Sequence, residues 1–298
     1  MTKSPSRVAI FAGLLTVGLA VPSRADFGVN LSFNDASGTY ASYYNQISAG
    51  VTAAAADWSS HIANTSGAIR LQVNFTNEST ASAGSYSTHY VGTDGAINVF
   101  EQGALAHVTN GYTDPNSPYD AVLNIGAAYL TNTLWFDPNP SQRTAAIPAN
   151  RVDAQSVFLH EIGHMLVFNG FRNLTNGTLP GNYESTFDRS TTFDGTNYYF
   201  NGPNATAVYG GAVPLTYGNI FHVGNASPRP GSNLIPDLMN GVVYYYQNRY
   251  SISALDLAMA ADTGIRLNAV PEPGSIVLVG IGLVVAIGAR RVRAKVAA

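Results

Sequence analysis

The segment His160-Glu161-Ile162-Gly163-His164 carries the sharpest chemistry in this chain. On a helix, residues four apart project from one face, so both imidazoles reach a single metal ion. Zn²⁺ is the usual occupant of such a pair. Glu161 stands beside them, placed to touch a metal-bound water rather than the metal. Zinc lowers the pKa of that water toward ~7, and the carboxylate then accepts its proton. The chemistry expected of this pattern is hydrolysis of a peptide bond in a protein or peptide substrate, with Glu161 passing the proton on to the leaving amine.

A catalytic zinc needs a third protein ligand and an open position. The chain has no cysteine, so any metal must be held by His, Asp or Glu. The compact pattern HExxHxxGxxH would place glycine at 167 and histidine at 170. Here Val167 and Gly170 stand there, and a glycine cannot ligate. Glu184 is the only later glutamate before the C-terminal tail, and its loop-like setting argues against it. His222 follows His164 by 58 positions, and Met239 follows His222 by 17, in Asp237-Leu238-Met239-Asn240-Gly241. Asp188 and Asp194 are alternative ligands. His61, His89 and His107 lie upstream and read as structural or surface residues. Asp237 is suited to capping the turn. Among Tyr244, Tyr245 and Tyr246, one phenol could stabilise an oxyanion, and aromatic packing is the rival role.

A distant third histidine followed by a methionine in a tight turn resembles the leishmanolysin-type metzincins. The resemblance covers roughly residues 152–265. It implies zinc held by His160, His164 and His222, Glu161 as general base, and Met239 as the Met-turn residue. Val167, and the long run from His222 to Met239, depart from the family pattern.

The elements that must position these residues follow from periodicity. Residues 152–169 read as a helix, with Asp153 favourable near its positive end and Gly170 as a stop. Ile47, Val51, Ala54, Ala55 and Trp58 recur at helical spacing within 40–62. Alternation at 69–75 reads as a strand, with further strands at 97–100, 121–125 and 133–136. Residues 171–221 are rich in Asn, Gly, Thr and Tyr and read as an irregular insertion. A helix at 253–263 closes the domain. The expected class is α+β, zincin-like, with a mixed sheet, an active-site helix and a looser C-terminal subdomain.

The two ends of the chain read as export signals. Lys3 and Arg7, an apolar run at 8–21 and Ser23-Arg24-Ala25 form a signal peptide over 1–25, cleaved before Asp26. The domain then spans 26–269. In 270–298, Pro271-Glu272-Pro273 precedes an apolar stretch at 276–289 and the cluster Arg290, Arg291, Arg293 and Lys295. That stretch is short for a bilayer span, which takes ~17 to 25 residues, and its basic end would stay cytoplasmic. This order resembles the PEP-CTERM sorting signal. The resemblance implies a membrane sorting enzyme as partner, removal of the tail, and a cell-surface or extracellular destination in a Gram-negative bacterium. DLMNG and SALDLAMAADTG add a similarity to PEP-CTERM-bearing bacterial proteins classed as metalloproteases.

The whole chain has a formal charge of −3. Without both ends it keeps 8 basic and 17 acidic residues, about −9, and no lysine. That argues against nucleic acid as a partner. The rival reading is a non-catalytic surface or extracellular-matrix protein with a structural zinc site, its Tyr, Asn and Thr forming a binding surface.

Overall fold

The computed structural model describes residues 26–224, 234–242 and 244–268. The expected signal peptide over 1–25 and the tail with its apolar stretch at 276–289 lie outside the described residues. Among the described residues no helix is long and apolar enough to cross a membrane.

The chain opens with β1 (Gly28–Asn34) and α1 (Tyr44–His61). The expected stripe of Ile47, Val51, Ala54, Ala55 and Trp58 is buried along α1. Asp35 fixes the start of this helix: its carboxylate accepts from the Tyr40 N–H and the Tyr44 hydroxyl. There follow β2 (Ala68–Thr76), β3 (Ala81–Ser85), β4 (Thr88–Asp94), β5 (Ile97–Gln102), α2 (Gly103–Asn110), β6 (Ala121–Gly126), α3 (Ala127–Asn132), β7 (Leu134–Trp135) and β8 (Val152–Asp153). The motif helix is α4 (Ala154–Leu166). Beyond it come β9 (Tyr183–Ser185), β10 (Thr191–Phe193), β11 (Tyr198–Phe200), α5 (Pro203–Tyr209), β12 (Val213–Pro214) and α6 (Ala254–Asp262).

The main sheet runs β1-β2-β6-β3, with β1, β2 and β6 parallel and β3 antiparallel at the edge. Side chains alternate across its faces. Ile69, Leu71 and Val73 of β2 and Ala121, Leu123 and Ile125 of β6 are buried on one face. On the other, amides form a rung across all four strands. Asn34 donates to Asn74, Asn74 to Asn124, and Asn124 to the Ser82 hydroxyl.

Helices α1 and α4 pack on each other and on the buried face. Trp58 Nε1 donates to the Leu159 carbonyl at 2.8 Å. Gly50 lets the helices close: a Cβ there would lie 2.8 Å from the Phe158 ring. Every residue of α4 is buried, so the motif helix sits in the core rather than on the surface.

The fold is α+β with mixed sheets. Two local expectations are corrected. Helix α4 ends at Leu166, not 169, because Val167 turns out of helical geometry (φ −136°) and Val167 and Phe168 both donate to the Gly163 carbonyl. Gly170 is therefore not its stop. Asp153 does stand at the positive end of the helix, as expected, as its N-cap, its carboxylate accepting from Ser156 N–H. The segment 171–221 is ordered: β9 extends the β4–β5 hairpin, and β10, β11 and β12 make an antiparallel sheet. Strands of two or three residues are too short to show alternation in sequence.

Candidate metal centre

Three elements meet at the candidate site. Helix α4 supplies His160, Glu161 and His164. A tight loop supplies His222: its N–H donates to the Asn219 carbonyl, and its carbonyl accepts from Thr216 N–H. The turn around Met239 lies beneath. Asp237 does cap that turn, accepting from Met239 N–H at 2.9 Å and from the Ser253 hydroxyl at 2.8 Å. Ser253 is in turn the N-cap of α6, in a capping box with Asp256. The closing helix thus anchors the turn. Val223 N–H donates to the Met239 carbonyl and ties the histidine loop to the same turn.

Two glycines are moulds for this assembly. At Gly163 a Cβ would stand 2.8 Å from the Met239 sulfur, so the residue between the motif histidines is cut to fit the methionine. At Gly241 a Cβ would stand 2.8 Å from the Cβ of His222. Gly170 is explained separately. The buried Asp188 carboxylate comes within 2.5 Å of where its Cβ would be, and accepts from Phe171 and Ser185 N–H. A histidine has no room there.

The Nε2 atoms of the three histidines converge. His160 to His164 is 3.0 Å, His160 to His222 is 3.1 Å, and His164 to His222 is 2.9 Å. The Nδ1 atom of His160 lies 2.7 Å from the Leu238 carbonyl, and that of His164 lies 2.6 Å from the Phe168 carbonyl. A carbonyl only accepts, so both Nδ1 atoms carry the proton and both Nε2 atoms carry lone pairs. The 3.0 Å contact between His160 and His164 is lone pair against lone pair. A proton on His222 Nε2 would relieve only its own contacts. Burial, above all, pushes His160 down to about 3, His164 down to about 4 and His222 well below its usual value, so none charges at neutral pH.

This donor set fits a tetrahedral cation. Bonds of ~2.05 Å from zinc to nitrogen set ligand atoms about 3.3 Å apart, close to the spacing seen. Carbonyls orienting the far nitrogens of His160 and His164 are the usual support of such ligands. Glu161 is buried beside them, with Oε2 lacking a hydrogen-bond partner. Burial, then the charge of Glu78, pushes its carboxyl up to about 8.

All four groups face an open cleft of about 400 Å³, walled on one side by Thr80 and residues 81–83 of β3 and on the other by Val242 and Tyr244. Of the residues singled out in the sequence, the structure gathers His160, Glu161, His164, His222 and Met239. Asp188 is held as described, and Asp194 caps its own turn through Thr196 and Asn197 N–H. Glu184 lies in β9 near Arg189. None of the three joins the histidine cluster. His89 pairs with Glu101, His107 lies by Asp120 and His61 by Asp57. Tyr129, on α3, also lines the cleft, and no motif signals it.

Residues 269–293 match the PEP-CTERM protein-sorting motif. The match covers the tail alone, and no curated protein and no solved structure matches the chain. That motif marks proteins exported to the cell surface or extracellular space of Gram-negative bacteria, and a sorting enzyme recognises it.

Proposed function

We propose that this protein is an exported zinc-dependent endopeptidase with a zincin-like domain and a metzincin-like site. The observation that carries the reading is the meeting of three uncharged imidazole nitrogens beside an unpartnered buried carboxylate, on an open cleft. A structural zinc would call for a closed site with a fourth side chain, and among the described residues the cluster gathers three histidines.

His160, His164 and His222 would hold the ion, with the Leu238 and Phe168 carbonyls fixing two of the rings. Zinc held there supplies Lewis acidity, polarising a carbonyl and lowering the pKa of water toward ~7. Glu161 takes a proton from the attacking water as the oxygen bonds to the carbonyl carbon. When the C–N bond breaks, Glu161 returns that proton to the departing nitrogen. Its raised proton affinity suits this traffic, and a nearby dication moves the balance back toward the carboxylate at neutral pH. The free edge of β3 offers main-chain groups to an extended peptide.

Metal analysis and a peptide assay test the reading. The purified protein should carry about one zinc. Glu161→Gln should keep the zinc and lose at least ~10²-fold in hydrolysis. A protein without stoichiometric zinc, or a Glu161→Gln variant of undiminished activity, sinks it.

A further inference from the structure

Attack on a peptide carbonyl puts negative charge on its oxygen, and a positioned hydrogen-bond donor stabilises that charge. The tyrosines after Met239 are poor sources of one. The Tyr244 hydroxyl donates to the Leu238 carbonyl, the same oxygen that takes the His160 Nδ1 proton. Tyr244 therefore helps orient a metal ligand. Tyr245 and Tyr246 are about half exposed and do not line the cleft.

Tyr129 does line it, together with Glu161. Its backbone is pinned on both sides. Just before α3, Gly126 packs so tightly under the Glu78 carbonyl that a Cβ would lie 2.0 Å from that oxygen. Gly126 N–H also donates to the Thr80 carbonyl at 2.9 Å. Just after Tyr129, Leu130 is buried, and Thr133 N–H donates back to the Tyr129 carbonyl at 3.0 Å. The ring rests against the core. The hydroxyl has no hydrogen-bond partner among the described residues. A phenol locked in place at the rim of a hydrolytic cleft, with its donor unused, is positioned for substrate.

We propose that Tyr129 is a catalytic residue of this cleft, its hydroxyl donating a hydrogen bond to the carbonyl oxygen of the scissile peptide as that oxygen becomes negative. The inference rests on the peptidase reading. As the water oxygen bonds to carbon, the π electrons of the carbonyl move onto its oxygen. Tyr129 donates a hydrogen bond to that oxygen and keeps its proton. Expulsion of the amine restores the carbonyl, and the proton that the nitrogen gains comes from Glu161. Burial, and next the charge of Glu161, hold the phenol protonated well above its ordinary range, so the donor persists at any working pH.

The test compares the full chain carrying Tyr129→Phe with wild type, because phenylalanine keeps the ring that packs. Zinc content and thermal midpoint should not change. On a mixture of quenched-fluorescence peptides, kcat should fall ~10²- to 10³-fold, the usual effect of losing one such donor, with KM within about threefold. By calorimetry, a phosphinic peptide that mimics the tetrahedral carbon should bind correspondingly more weakly, while an uncleaved D-residue peptide binds as before. A kcat within about threefold of wild type, with unchanged phosphinic affinity, overturns the proposal. So does loss of zinc or of folding, which would make Tyr129 structural. Wild-type protein that holds zinc yet cleaves no peptide overturns the peptidase reading itself, and the proposal with it.

Discussion

Gly241→Ala isolates the placement of His222. The new Cβ would stand 2.8 Å from the Cβ of His222, 2.8 Å from Thr216 Oγ1 and 3.0 Å from the Cγ of His222. Carbon atoms in ordinary contact sit ~3.5 Å apart or more, so the two chains must separate by about 0.7 Å. Neither neighbour is a flexible chain end. The His222 backbone is bonded to Asn219 and Thr216, and Thr216 Oγ1 donates to the Val223 carbonyl at 2.6 Å. Gly241 has no left-handed φ, so alanine adds no backbone strain. Metal–ligand distances tolerate about ±0.2 Å, well under the displacement. Zinc affinity should fall ~10- to 100-fold, as when a ligand's supporting group is removed. That is about 1.4 to 2.8 kcal/mol. Overpacking should also cost the metal-free protein about 1 to 3 kcal/mol. Competition with a chromophoric chelator reads the first, and urea midpoints the second. Gly211→Ala is the control, since nothing lies within 4 Å of its Cβ. Wild-type zinc affinity in Gly241→Ala would refute the role of His222 as a ligand held by this contact. An equal loss in the control would reduce the effect to general instability.

Gly170→Ala should destabilise by about 1 to 3 kcal/mol, because the Asp188 carboxylate fills the space. An unchanged urea midpoint would contradict the packing described. The histidines also set a pH dependence for the metal-free protein. Below pH 6.5 the unfolded chain charges histidines that the native state keeps neutral, burial holding His160 down to about 3, His164 down to about 4 and His222 well below its usual value. Glu161, pushed up to about 8, holds a proton in the native state that an unfolded carboxyl releases, and Asp256, raised mainly by burial, acts in the same direction. Below about pH 5.5, where the unfolded histidines are largely charged, they outnumber these offsets, so stability should fall as pH drops toward 4.5. Urea midpoints of chelator-treated protein across that range measure it, and a flat or rising profile contradicts neutral histidines.

Chemistry that lies within one helical turn is legible in sequence. His160, Glu161 and His164 need only the period of a helix, and the burial pattern of α1 and β2 needs only its own alternation. In sequence His222 stands beside Asp188 and Asp194 as a ligand candidate, and the fold places only His222 with the motif histidines among the described residues. The edge strand β3 is not legible, since Ala-Ser-Ala-Gly-Ser contains no large apolar residue to mark an inward face. Helix α3 has six residues and no side-chain cap, so nothing in the sequence marks Tyr129. The glycines are the instructive case. In sequence Gly170 reads as a motif that fails, and Gly163 as a variable position. In the fold, Gly163, Gly170 and Gly241 are the negatives of Met239, Asp188 and His222. A glycine that exists to admit a distant side chain carries no local signal, because the constraint belongs to the pair. The site is therefore specified by contacts between elements far apart in the chain, and substituting Gly163 or Gly241 should disturb it without removing any candidate ligand.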